Sequence, residues 1–415
     1  MVVEPFRGLR YAPDKVPLEQ VVTQPYDKIS REMQDRYYAL HPYNLVRIVL
    51  GKANAGDSVH DNVYTRAAAY LKEWRRLGVL TRLEAPAFLV CAQRFRIPGA
   101  REEHVRKGFI GLGRLEDYAN RVVFPHERTL SGPKQDRLEL LQHTRTHFEQ
   151  IFMLYEDSGR RIGALLDQTA SRPPDIAVQD EYGVTHSVWI VSDDGITNTI
   201  RREMADKRVI IADGHHRYET ALAFRNEMQD QPGTDRVPMA FFDMNSPGLT
   251  ILPTHRIVSG LPDFDGPRFI RCAGQRFDVV MAPSDDEQFL AEVRRHGQRR
   301  TTLGVCLREQ RFLCALKPAA GEMLDVEALH GLLIEGCLGI TEEAVQRESH
   351  IRYVRDSGEA LRAVQEGRAQ ISFLLNPTRI GQLRDLAFAG KVMPQKSTDF
   401  YPKVLSGLIM YSLEF

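Results

Sequence analysis

Apolar residues recur along this chain with two different periods, and their alternation predicts its elements. Ala67, Ala68, Leu71, Trp74 and Leu77 share one side of a helix over 64–77, with Gly78 as its stop. FLVCAQRF at 88–95 and the run 105–112 around Gly108 read as paired strands, turning at Pro98, Gly99 and Ala100. Apolar runs at 45–50 (LVRIVL), 151–155, 238–243 and 249–258 predict further strands, and 176–178 with 186–191 a hairpin. Ser30 is placed to cap a helix from Arg31, and helical spacing recurs over 134–146, 162–166 and 197–204. The last third alternates strands at 277–282, 301–307, 312–316, 351–354 and 369–375 with helices at 287–296, 326–338, 358–366 and 382–389; a strand-like run at 407–414 closes the chain. Antiparallel-looking strand pairs are as frequent as β-α-β order, so the expected class is α+β. LPDFDGP at 261–267 reads as a linker, which divides the chain into 1–260 and 261–415.

One stretch, RVIIADGHHRYETALAFR at 208–225, carries the most chemistry. Val209–Ala212 is a short buried strand, Asp213 and Gly214 break it, and Tyr218, Ala221, Leu222 and Phe224 continue at helical spacing. A helix start carries free N–H groups and partial positive charge, which suits a phosphate. His215, His216 and Arg217 add donors of the right sign, and Asp213 supplies the opposite sign for a Mg²⁺ that accompanies phosphate. The plain alternative is a strand-to-helix turn with Asp213 as N-cap and surface histidines. A second candidate is His126-Glu127, placed after the short strand 122–124 and Pro125. A third is KSTDFYPK, where Lys396 and Lys403 flank Ser397 and Thr398, small hydroxyls suited to a phosphate oxygen or metal. His255 and Arg256, at the end of a predicted strand, are similar candidates for substrate contact, and Arg7, Tyr26 and Asp27 are weaker ones. Asn44 and Arg47 are expected to fix the first strand instead.

The DGHHRY turn resembles the motif of the ParB/sulfiredoxin-like superfamily, in particular its free-serine kinases. The whole chain is similar to a bacterial and archaeal family catalogued as a domain of unknown function. That likeness runs through PFRGLRY (5–11), QPYDKIS (24–30), HPYNLVRI (41–48), FPHERT (124–129), IADGHHRYETA (211–221), LPTHRIV (252–258) and MPQKSTDFYPKVLSGL (393–408). It implies a ParB/sulfiredoxin-like mixed sheet core with an added C-terminal α/β domain, contributing to the site through 393–408. It also implies that Gly214, His215, His216 and Arg217 grip the phosphates of a donor, with Lys396 and Lys403 adding charge. Glu127 then accepts the substrate hydroxyl proton, and Asp213 holds Mg²⁺ or orients His216. At least one branch of that family is a serine kinase using pyrophosphate. The expected reaction is transfer of a phosphoryl group from pyrophosphate or a nucleotide to free L-serine, or its reverse. A hairpin insertion at 175–191 separates the two motifs further than in the serine kinases. No P-loop and no Gly-rich dinucleotide fingerprint is present.

Bulk properties narrow the classes. With 415 residues, two or three domains are expected. A formal net charge of zero gives no electrostatic footprint for nucleic acid. This counts against a ParB-like nucleotide-dependent DNA switch, as does the lack of a helix-turn-helix with a basic face. The second rival is a metal-dependent phosphoserine phosphatase with Asp213, His215 and His216 as ligands. No apolar run is long enough to cross a bilayer, and 1–11 lacks the layout of a signal peptide. Cys91, Cys272, Cys306, Cys314 and Cys337 are scattered without a C-x-x-C pair. Buried thiols in a reducing cytoplasm are therefore expected rather than disulfides.

Overall fold

The computed structural model describes residues 1–127, 131–228, 231–321 and 323–414. Arg128 and Thr129 of the FPHERT motif lie outside them. The chain forms two compact units: Met1–Pro125, Thr129–Thr250 and Tyr401–Phe415 make the first; His126–Arg128 and Ile251–Phe400 make the second. The stretch read as a linker leads into a helix of the second unit, with Asp265 Oδ1 capping it by accepting from Arg268 N–H at 2.7 Å.

In the first unit, nine strands form one mixed sheet among the described residues. They are β1 (Val3–Glu4), β2 (Phe88–Arg96), β3 (Glu103–Arg114), β4 (Val123–Phe124), β5 (Ile151–Tyr155), β6 (Ile176–Gln179), β7 (Thr185–Val191), β8 (Val209–Asp213) and β9 (Arg236–Asp243). Their order is β4-β8-β5-β9-β3-β2-β7-β6, with β1 on β3. β8 runs parallel to β4 and antiparallel to β5. The helices of this unit include α1 (Val63–Arg76), α2 (Ser131–Thr144), α3 (Arg161–Thr169), α4 (Asp194–Met204) and α5 (His215–Glu227). Strand side chains alternate between faces. One face of β2 and β3 carries Phe88, Val90 and Phe109, which pack with Ile162 and Leu166 of α3 and Ile200 and Met204 of α4. The opposite register of the same strands carries Gln93 and Arg106, both buried.

The second unit has a six-stranded sheet: β10 (His255–Val258), β11 (Phe277–Met281), β12 (Thr302–Cys306), β13 (Arg311–Leu316), β14 (Ile351–Val354) and β15 (Ile371–Leu374), in the order β11-β13-β12-β15-β10-β14. Every pairing in it is antiparallel. Among its helices are α6 (Gly266–Arg276), α7 (Asp286–Gly297), α8 (Ser357–Gln365) and α9 (Ile380–Phe388). Phe289, Val293, Leu361 and Val364 from these helices close the core. The class is α+β. No helix among the described residues is long and apolar enough to cross a membrane.

Four local expectations are corrected. LVRIVL forms a helical turn, Val46–Val49, not a strand. The buried Asn44 starts it, accepting Val46 N–H at 3.0 Å and donating to Gln20 O at 2.7 Å. The apolar run thus starts from a side-chain-to-backbone turn and not from a ladder. The run 249–258 splits into Thr250–Leu252 and His255–Val258, on either side of Pro253-Thr254. The helix over 326–338 is one α-turn, Asp325–Ala328, followed by π-helix at Leu329–Glu335. Cys272 of α6 and Cys337 are joined as a disulfide, Cα–Cα 5.8 Å, so the all-thiol reading is wrong for this pair. They are 65 residues apart, and only the fold brings them together. Cys91, Cys306 and Cys314 are buried free thiols.

Candidate phosphate-binding site

β8 ends on Asp213, α5 begins on His215, and Gly214 joins them at φ +93°. Glycine is needed twice over. The backbone angle is one L side chains rarely adopt, and a Cβ there would stand 2.9 Å from Arg217 Nε. The N-cap is Gly214, so Asp213 is not capping the helix. Its carboxylate is held by two cations instead. Oδ2 accepts from Arg217 Nη2 at 2.6 Å and Oδ1 from Lys403 Nζ at 2.7 Å. Arg217 Nη1 also donates to Gln150 O at 2.5 Å. Burial on its own would raise the Asp213 carboxyl, but Lys403, Arg217 and Lys28 outweigh it and hold it far below the usual carboxylate range. Burial pulls the Arg217 guanidinium down, but Glu149, Asp213 and Asp27 reverse this and raise it. Both groups are therefore charged at neutral pH. His215 is buried at the first position of α5 and His216 is half-buried beside it.

Two elements bring further groups to this turn. Tyr26–Lys28 is a single 3₁₀ turn, anchored where Tyr26 N–H donates to Glu149 Oε1 at 2.9 Å. Glu149 also accepts from Ser406 Oγ at 2.8 Å. Asp27 acts on the charge of Arg217 and Lys28 on that of Asp213, so the QPYDK turn and the DGHHR turn belong to one cluster. Arg137 lies 4.0 Å over the Tyr26 ring.

The second element is a clamp behind Lys403. Arg106 is fully buried and its bonds all go to neutral oxygens: Nε to Gln93 Oε1 at 3.1 Å, Nη1 to Tyr401 O at 3.2 Å and Nη2 to Pro402 O at 2.5 Å. Gln93 Nε2 in turn donates to Lys403 O at 2.7 Å. Three successive carbonyls, 401 to 403, are thus fixed from the sheet, which places the Lys403 ammonium at Asp213. Burial lowers Arg106 to about 9, and its guanidinium carbon sits 4.6 Å and 4.7 Å from the Phe152 and Phe242 ring centres.

Within the second unit, the other predicted residues form a separate network. Met393 N–H donates to His126 O, and Lys396 N–H to Glu127 Oε1, both at 2.8 Å. His126 is fully buried, with Nε2 2.7 Å from Thr398 Oγ1. Ser397 Oγ donates to Pro394 O at 2.5 Å. Arg256 is buried, donates to Lys396 O at 3.1 Å and to Thr254 O, and lies 5.1 Å over the Tyr353 ring. His255 Nδ1 accepts Leu375 N–H at 3.2 Å, and burial, helped by the Arg256 charge, pushes His255 down to about 4. It is therefore a neutral packing histidine at pH 7.

Among the predicted residues, the first unit brings together Asp213, Gly214, Arg217, Lys403, Tyr26 and Asp27, with His215 and His216 opening α5. Arg7 is exposed and donates to Leu83 O at 3.0 Å, which ties down the chain near β2 and not the cluster. The second unit groups Glu127, His126, Lys396, Ser397, Thr398 and Arg256. Sequence reasoning missed Lys28, Gln93, Arg106 and Glu149. Gln93 and Arg106 had left a signal: polar residues at core-facing positions of apolar strands.

Mg²⁺ held by the chain does not fit these donors. Both Asp213 oxygens are engaged by cations, and among the described residues no group of three His, Cys, Asp or Glu side chains is arranged to hold a metal. What the cluster can do is present positive charge at one helix start to an anion.

Comparison with known proteins places the chain in a family. Residues 3–332 match the family described as "Protein of unknown function (DUF1015)", and the chain belongs to it. No curated protein matches. Similar solved structures include a conserved hypothetical protein from Pyrococcus furiosus, at 13% identity, covering 73% of this chain and 95% of that one, TM-score 0.39. A free serine kinase in complex with AMP matches at 13% identity, 72% and 91% coverage and TM-score 0.39. SbnI with a C-terminal truncation, from Staphylococcus aureus, matches at 10% identity, 72% and 86% coverage and TM-score 0.39. At that level of superposition the likeness transfers neither fold nor activity to this chain.

Proposed function

We propose that this DUF1015 protein is a small-molecule kinase of the ParB/sulfiredoxin-like type. It moves a phosphoryl group from pyrophosphate or a nucleotide to the hydroxyl of free L-serine, giving O-phosphoserine, in a reaction that can run backwards. The observation that carries the reading is the pairing of Asp213 with both Arg217 and Lys403 at the start of α5. Phosphoryl transfer asks for positioned charge more than for covalent chemistry. Here the cations are already fixed by a carboxylate and a carbonyl clamp, so little reorganisation is needed when phosphate arrives.

In this reading the donor phosphates lie on the N–H groups of α5, with His215, His216, Arg217 and Lys403 around them. Asp213 keeps the two cations charged and oriented. Glu127 is the candidate base for the serine hydroxyl proton; the hydroxyl oxygen bonds to phosphorus as the bond from phosphorus to the departing phosphate breaks. Mg²⁺ comes with the donor's own oxygens and not as a resident of the chain.

The test is direct. L-serine is offered with pyrophosphate, ADP or ATP and Mg²⁺, and phosphoserine is measured. At least one donor yields it, and Glu127→Gln and Lys403→Ala, checked for an intact fold by circular dichroism, do not. No phosphoserine from any donor would overturn the reading.

A further inference from the structure

The second unit contains a cavity of about 290 Å³ that phosphoryl transfer does not use. It is lined by the last turn of α7, by Asp325, and by the segment from Asn376 to Arg379 that starts α9. Its volume is at the small end of ligand pockets, too small for a nucleotide and suited to a compact metabolite.

The wall is built, not accidental. Asn376 packs so closely over Gly297 that a Cβ at 297 would stand 2.2 Å from its Nδ2. Asn376 is held there by Asp325, whose Oδ2 accepts from its N–H at 3.1 Å and its Nδ2 at 3.0 Å. Burial pushes the Asp325 carboxyl up to about 6, against the pull of Asn376, Thr302 and Arg379. Two arginines, Arg294 and Arg379, line the same space, and both are exposed. Neither guanidinium makes a hydrogen bond or ion pair with a described residue. The cavity therefore offers two exposed planar cations, Arg379 being the one whose charge reaches Asp325, and one carboxylate.

We propose that this cavity binds a free α-amino acid, its carboxylate taken by Arg294 and Arg379 and its ammonium by Asp325. A guanidinium fork matches a carboxylate in shape as well as charge. A plain dianion would meet the Asp325 carboxylate, and a plain amine would meet the arginines; a zwitterion satisfies both. The site uses none of the residues assigned to phosphoryl transfer and does not rest on that assignment.

Calorimetric titration of the full chain with the twenty common L-amino acids tests this, with propionate and ethylamine as half-ligands. At least one amino acid binds, more tightly than either half-ligand. Arg294→Ala/Arg379→Ala weakens that binding by about tenfold or more, while Arg271→Ala, at an exposed arginine of α6 outside the cavity lining, leaves it unchanged. The two arginines are exposed, so the double variant keeps its fold; Asp325→Asn provides a second probe from the ammonium side. Absence of binding by any amino acid at millimolar concentration would overturn the proposal. So would binding that survives the double arginine variant, or that disappears in Arg271→Ala instead.

Discussion

Arg106→Met removes a fully buried guanidinium and leaves three oxygens behind: Gln93 Oε1, Tyr401 O and Pro402 O. Each buried acceptor left unpaired costs about 1–3 kcal/mol. Methionine is of similar length and fits between the Phe152 and Phe242 rings, and the cost of burying a charge that burial itself lowers to about 9 disappears. The two effects oppose each other: the three oxygens cost about 3–9 kcal/mol together and the relieved burial returns about 5 kcal/mol, so the oxygens win by roughly 1 kcal/mol at the middle of that range. Urea denaturation of the two proteins reads that difference. The clamp has a second consequence, because residues 401–403 carry Lys403 to Asp213. The variant therefore also binds pyrophosphate more weakly than wild type under conditions where both are folded. Arg106→Lys keeps the charge but has no planar fork to span two carbonyls, so it restores neither property fully. An Arg106→Met protein with an unchanged urea midpoint and unchanged pyrophosphate affinity would refute the reasoning.

Gly214→Ala puts a Cβ at φ +93° and against Arg217, which costs about 1–3 kcal/mol and displaces the guanidinium; thermal unfolding and pyrophosphate titration both register it, and a neutral result would contradict the turn geometry. His255 titrates near 4 in the folded chain against about 6.5 when unfolded, so the unfolded chain binds more protons in that window. Its contribution is present above about pH 6.5 and fades as pH falls towards 4, by about 3 kcal/mol in all. Denaturant midpoints across that range should fall less steeply for His255→Gln than for wild type, and parallel slopes would show that this histidine is not responsible.

The α+β class was legible because alternation survives in strands with one packed face, as in Phe88, Val90 and Phe109. LVRIVL was misread because an apolar run of six is equally consistent with a buried helical turn, and the deciding feature is the Asn44 side chain accepting from Val46 N–H just before it. The DGHHR turn was legible as a strand-to-helix joint, since Asp-Gly ends an apolar run and helical spacing follows. Its support was not. Arg106 meets Tyr401 across 295 residues, Glu149 meets Ser406 across 257, and no local pattern encodes such a meeting. The same holds for Cys272 and Cys337, whose pairing depends on α6 lying against the π-helical segment.

The claim on which the account rests is that the start of α5 is an anion site made by cations held on Asp213. Isothermal titration of pyrophosphate into wild type and Lys403→Ala, in low and in high salt, addresses it most directly. The account predicts binding to wild type that weakens with salt and falls by about tenfold or more without the lysine. Equal affinities for the two proteins, or no binding to wild type, would contradict it.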